Sequence, residues 1–272
     1  MGKTADTDQA VMDAPAQPAA GTDPSARKES SQKKQDFTVS ITVPQNCLAA
    51  LMLFAAKDDI RSYLNGLLLE VYPQHAILIA TDGHMLGAAR IRNQKNTHAL
   101  GTDTSIQQIL LKGEWLLDIK PSRKGASKSV TFTIGAPLPP RDDESEVLRP
   151  ITIWHEGRAR TVQAEVRRPL DWRRTVPRQC SGVTAQFDPR FVARLGNVYA
   201  ALYGIDKNRG LSIPVLMAHN GGAAALVDFN DPNFLGVLMP MKADIRDTNP
   251  LLTPPAWVFP DAATPAQDPQ EP

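Results

Sequence analysis

The apolar positions of this chain fall into runs of one type that recur. At the first, FTVSITVP alternates apolar and polar side chains from Phe37, as a half-buried strand does, and Pro44 ends it. In QNCLAALMLFAAKDD, Leu48, Leu51, Met52 and Ala55 recur at spacings of three and four, which predicts a helix with one apolar face. LNGLLLEVY, HAILIAT and MLGAARI then read as strands, separated at Pro73-Gln74 and Asp82-Gly83. The order is strand, helix, three strands.

That order recurs twice. QQILLK reads as a strand, GEWLLDI as a short helix, and SVTFTIG, PITIWHE and RARTVQAEV as strands, the last two joined at Glu156-Gly157; APLPPRDDESEVLR interrupts them as an insertion of turn-forming and charged residues. GVTAQF opens the third occurrence as a strand. Its helix is the clearest in the chain: Asp188 is a cap, Pro189 suits the first turn, Phe191, Val192, Leu195, Val198, Tyr199 and Leu202 form the apolar stripe, and Gly204 closes it. LSIPVLMAH, GAAALVDF and FLGVLMPM follow as strands. Three copies of one unit, each roughly 60 residues long, predict an α+β fold of repeated β-α-β-β-β units. Two units make a domain over residues 37–178, and a third occupies 179–244. Residues 1–36 and the Pro-rich 245–272 are poor in the large apolar side chains that offset ordering entropy and are expected to be disordered tails.

A formal charge of +1 over 272 residues gives no global attraction to nucleic acid or membrane, so any electrostatic role rests on local clusters. Cys47 and Cys180 are too few for a disulfide framework or a zinc site, and no metal or cofactor is implied. The N-terminal stretch lacks the apolar core of a signal peptide and no run approaches a membrane span, which predicts a cytoplasmic protein. Asp82-Gly83-His84 invites a catalytic reading. No Ser, Cys or second His stands in a motif that would complete such a site, and Asp-Gly is a hairpin turn signal, so a non-enzyme is expected.

The stretch KDDIRSYLNGLLLE, followed by ATDGHMLG, resembles the middle domain of the bacterial DNA polymerase III beta subunit, the sliding clamp. RPLDWRRTVP, residues 168–177, is similar to the segment that joins the clamp's second and third domains, and VLMPMK, residues 237–242, to its C-terminal run. Clamp domains each hold two such units, and two three-domain subunits make a ring around duplex DNA. The resemblance therefore implies a DNA-clamp fold shortened to the middle domain plus the closing half of the third. It also implies a hydrophobic pocket for the peptide motifs of polymerases and other clamp-binding proteins. Its lining would be Leu64, Thr81, Gly83, His84, Met85 and Leu86, then Pro169, Arg174 and Thr175, then Val237, Leu238, Met239, Pro240 and Met241. Met85 stands where clamps usually carry arginine, and Lys242 where they often do.

Clamp helices present cations to phosphates, and here the candidates are Lys57, Arg190 and Arg194. A denser basic cluster, Arg158, Arg160, Arg167, Arg168, Arg173, Arg174 and Arg178, reads as a solvated face, with Trp154 and Trp172 beside it as packing aromatics. Two readings stay open: a DNA-encircling processivity factor completed by homo-oligomerisation, and a monomeric module that binds clamp partners without encircling DNA. Past the Met-Pro-Met run, Leu251, Leu252, Trp257, Val258 and Phe259 form an apolar island among prolines.

Overall fold

The computed structural model describes residues 39–72, 74–92, 108–123, 128–138, 147–167, 169–205 and 215–241. Both tails read from the sequence, with Arg168, Lys242 and part of the insertion, lie outside the described residues. The strands are β1 (Val39–Pro44), β2 (Gly66–Val71), β3 (His75–Thr81), β4 (Met85–Arg92), β5 (Gln108–Lys112), β6 (Ser129–Ile134), β7 (Val147–His155), β8 (Arg158–Arg167), β9 (Leu216–Ala218), β10 (Ala225–Asp228) and β11 (Phe234–Leu238). They form a sheet in the order β1-β6-β7-β8-β5-β2-β3-β4-β11-β10-β9, with α1 (Gln45–Leu51) packed against α2 (Pro189–Tyr203). The architecture is α+β.

Four expectations are corrected by what surrounds each segment. GVTAQF is not a strand: Val183 is 60% exposed, and the segment is tied down by scattered bonds to several partners, from Gly182 N to His219 O, Ala185 N to His219 Nδ1, Gly221 N to Val183 O and Met241 N to Gln186 O. Without a neighbouring ladder, extended backbone gains no sheet pairing. The second unit's helix is a single 3-10 turn, Gly113–Leu116. The first helix stops at Leu51 because it is buried all round rather than on one stripe: Leu53 and Phe54 close it with i−3 bonds, and Phe54 drops into the core. Strand β7 begins at Val147, inside the predicted insertion. On α2, Asp188 Oδ1 accepts from Arg190 N at 2.8 Å and Gly204 closes the helix at φ 62°, as read, but Val192 is 42% exposed and leaves the stripe.

The run composition of the strands explains where the core lies. β1 and β6 alternate buried with exposed or half-buried positions, whereas β2, β4 and β5 are apolar on consecutive residues. Consecutive apolar residues mean burial on both faces. Leu67 and Leu69 of β2, Leu78 of β3, Ile109 and Leu111 of β5 and Leu238 of β11 join α1 and α2 in the main core. Leu68, Ile79, Leu86, Leu110 and Val237 face the other way and pack with Trp172 in a second cluster.

The C-terminal strands join the sheet where β11 pairs with β4, in the register Leu238↔Met85 to Phe234↔Ala89. At the middle of that seam Gly87 faces Gly236. A Cβ on Gly87 would lie 2.4 Å from Phe54 Cδ2, and one on Gly236 would lie 2.7 Å from Phe229 Cε2. The paired glycines thus make room for Phe54, Phe229 and Phe234, whose rings meet at centroid distances of 5.4 to 6.4 Å. By contrast, among the described residues β8 joins β5 through the register Gln108↔Arg167 and Ile109↔Val166.

Candidate functional site

The β3–β4 turn answers the question of Asp82-Gly83-His84. Asp82 Oδ1 accepts from the backbone N–H of His84 at 2.9 Å and of Met85 at 2.8 Å, while Oδ2 accepts from Arg194 at 2.6 Å. Thr81 Oγ1 accepts from Gly83 N at 3.0 Å and donates to Met85 O at 2.7 Å. Gly83 sits at φ 89°, the left-handed side that favours glycine. Asp82 is therefore a turn organiser whose oxygens are already engaged. His84 lies against Phe191 of α2 with centroids 5.2 Å apart, and its carbonyl accepts from Met239 N at 2.9 Å. Turn, helix and C-terminal run are thereby fixed to one another.

Beside this turn lies a cavity of about 220 Å³. Of the residues the resemblance implied, Leu64, Thr81, Gly83, His84, Met85, Leu86, Thr175, Val237 and Met239 line it. Five do not. Leu238 is fully buried in the main core, because alternation turns it away from the face that Val237 and Met239 share. Pro240 and Met241 come after β11 ends, where the chain leaves the cavity and Met241 N bonds Gln186 O at 2.9 Å. Pro169 and Arg174 are exposed on the connector, whose 3-10 turn Trp172–Thr175 aims Thr175 inward instead. Sequence reasoning missed Arg61, Tyr63, Leu170, Asp171 and Trp172. Their signal was present: all lie inside DDIRSYLNG or RPLDWRRTVP, and Leu170 and Trp172 are the large apolar residues of the latter. Trp154, expected to pack, is 50% exposed, whereas Trp172 is buried.

The connector wall is held by one buried carboxylate. Glu70 is 1% exposed on β2 and accepts from Gln108 Nε2 at 2.7 Å, Tyr72 OH at 2.8 Å, Trp172 Nε1 at 2.9 Å and Arg173 at 2.8 Å. Gln108 also binds both backbone groups of Leu170, at 2.9 and 2.6 Å. The Arg173 guanidinium stacks on the Trp172 ring at 4.4 Å. Burial would raise the Glu70 carboxyl, but the donors around it outweigh burial and hold it below its ordinary value. A carboxyl depressed in the folded state adds stability above its unfolded pKa of about 4.3, and that stability fades as pH falls through the lower folded value. Trp172 emission, read with Trp115, Trp154 and Trp257 changed to Phe, is expected to shift on acidification below about pH 4. In Glu70→Gln, which has no such carboxyl, that shift should disappear.

The rim charge comes from Arg61. Its guanidinium binds Asp59 at 3.0 Å, and these bonds hold the Asp59 carboxyl down to about 2. It lies over the turn, where a Cβ on Gly83 would come within 3.5 Å of its Nη2. The proposed DNA cations are placed differently from one another. Lys57 is exposed; Arg190 is clamped on the Asp188 cap at 2.6 Å; Arg194 is tied to Asp82 and stacks over Phe191 at 5.2 Å. Helix α1, QNCLAAL, carries no cation at all. Burial pushes the Cys47 thiol up to about 12, so it stays protonated.

No family model matches the chain, and no curated protein sequence does. Among solved structures, the chain is similar to a DNA polymerase sliding clamp from Pseudomonas aeruginosa, at 17% identity and a TM-score of 0.47, over 75% of this chain and 67% of that one. It is likewise similar to the pol III beta of Caulobacter crescentus, at 15% identity and a TM-score of 0.47, over 77% and 67%.

Proposed function

We propose that this protein is a clamp-like accessory factor of DNA replication or repair that captures partner proteins by short extended peptides. Leucine and phenylalanine anchors of the peptide enter the cavity between the Asp82 turn and the connector. The observation that carries this reading is the meeting of three distant segments, around Thr81 to Leu86, Leu170 to Thr175 and Val237 to Met239, on one largely apolar cavity. At about 220 Å³ it is smaller than the roughly 300 Å³ or more of sites for whole cofactors, and it suits one or two side chains. Leu64, Leu86, Leu170 and Val237 supply the apolar floor, and Met239, 42% exposed, an adaptable lip. Arg61 supplies a charge at the rim from the entry to the 3-10 turn Ser62–Leu64, not from the start of β4, where Met85 replaces the arginine of the clamp pattern.

Anisotropy of a labelled peptide of the pattern Gln-x-x-Leu-x-Phe tests it. Binding is expected below about 100 μM, an interaction of roughly −5.5 kcal/mol. Met239→Lys should weaken binding at least about tenfold by placing a cation against the apolar wall, and Met241→Lys, outside the cavity, less than about twofold. Absence of binding at 100 μM, or equal losses in the two variants, contradicts the reading.

A specific observation favours acting without encircling DNA. The described helices offer phosphates only Arg190 and Arg194, and both guanidiniums are engaged by carboxylates. A ring of twelve units would take four of these three-unit chains. Outer edges for such pairing exist, since β1 and β9 end the described sheet. Light scattering with and without circular duplex is expected to return a monomer in both; a tetramer retained on the circle restores the ring reading.

A further inference from the structure

The described chain leaves the cavity wall at its last residues. Met239 lines the cavity, and Met241, the last described residue, is 53% exposed beside that rim. Ten residues on, the sequence turns apolar at Leu251-Leu252 and again at Trp257-Val258-Phe259, with Pro250, Pro254, Pro255 and Pro260 between and around them. We propose that residues 251–259 of the same chain occupy the cavity and compete with outside peptides; this rests on reading the cavity as a peptide site. Three arguments converge on that occupant. Reach is the first: the roughly ten intervening residues span up to about 33 Å, ample for a chain that starts at the cavity's own edge. Chemistry is the second. The island carries leucine and aromatic side chains, which the apolar floor and Met239 suit, whereas residues 260–272 offer no large apolar side chain. Preorganisation is the third, because a sequence with Pro250, Pro254, Pro255 and Pro260 disfavours helix and favours extended backbone, which lowers the ordering cost of lying in a groove.

Tethering sets the size of the effect. A short linker gives an effective concentration on the order of 1 mM, so an island with an intrinsic Kd near 100 μM would weaken an external peptide roughly tenfold. The full chain allows the test. In a Cys180→Ser background, Cys47 is buried and its thiol stays protonated, so new cysteines can be read cleanly. Asp171→Cys, on the cavity wall, is combined with Ala256→Cys and oxidised mildly. The expected result is a disulfide within one chain. Separately, Trp257→Ser/Phe259→Ser should bind the Gln-x-x-Leu-x-Phe peptide about tenfold more tightly than the parent. No disulfide, a disulfide between two chains, or unchanged affinity in the variant while the peptide still binds overturns the proposal. An intrachain disulfide with no binding of the external peptide to parent or variant keeps the tail in the cavity and sinks the partner-capture reading instead.

Discussion

Glu70→Ala is expected to lower stability by about 3 kcal/mol and to abolish peptide binding at about 100 μM, although Glu70 does not line the cavity. Its oxygens satisfy Trp172 Nε1 and Gln108 Nε2, which are buried with it, so truncation strands donors that water cannot reach. Stranding each costs about 1–3 kcal/mol. Arg173 is 44% exposed and rehydrates at little cost, so it adds little to the total. The loss is directed: Gln108 grips Leu170 at both backbone groups, and Leu170, Asp171, Trp172 and Thr175 are one wall of the cavity. Urea unfolding measures the first effect and anisotropy the second. Glu70→Gln retains one acceptor oxygen and should fall between Glu70→Ala and the parent. An alanine variant that unfolds like the parent, or binds like it, would show that the connector is held by something other than this carboxylate.

Gly87→Val should cost about 2–3 kcal/mol through overpacking. The added Cβ would meet Phe54 Cδ2 at 2.4 Å, and Phe54 cannot retreat because Phe229 and Phe234 back it. Gly87 is also at the middle of the β4–β11 pairing, which holds Val237 against Leu86 on the cavity side. Phe54→Leu in the same chain should recover part of the loss, making the two changes non-additive. Gly196→Ala is the contrasting case. It sits inside α2 with nothing within 4 Å of its would-be Cβ, and should stabilise by about 0.5–1 kcal/mol. If Gly87→Val and Gly196→Ala gave the same midpoint, the glycine pair would not be a packing device.

Periodicity made the strands readable and left the helices partly hidden. GLLLEV and QILLK could be recognised as strands because consecutive leucines in short runs fit burial on both faces, and each lies close to where it was expected. α2 was legible from both ends, since Asp188-Pro189 and Gly204 are local chemistry. GEWLLDI, helical only as the 3-10 turn Gly113–Leu116, and GVTAQF, which is no strand, departed from expectation for a shared reason: what a segment of about six residues becomes is set by its neighbours in space, and no local signal reports them. The cavity followed the same division. Its contributing segments were visible as motifs, and the turn chemistry of Asp82 was visible in the dipeptide. Which side chains of a motif face inward was not, because a register of one residue decides between Val237 and Leu238, and a 3-10 turn decides between Arg174 and Thr175. Glu70 carried no warning at all. A lone glutamate in an apolar strand becomes an anchor only once Gln108, Trp172 and Arg173 arrive from far along the chain.

The narrow join between β8 and β5 makes the sheet mechanically uneven. β7 and β8 zip together from Val147↔Val166 to His155↔Arg158, whereas among the described residues β5 and β8 share a register of two positions. Pulled from opposite edges across the strands, load passes through each ladder in series, and the shortest one bears the greatest force per bond. The panel β1-β6-β7-β8 would peel at Gln108–Ile109 before the panel carrying the cavity began to tear. That crease lies beside Glu70, where Gln108 belongs to the shortest of the described ladders and also holds Leu170. Tension on the far panel would therefore reach the cavity wall by two routes at once, along the backbone from Arg167 to Leu170 and through the side chain of Gln108.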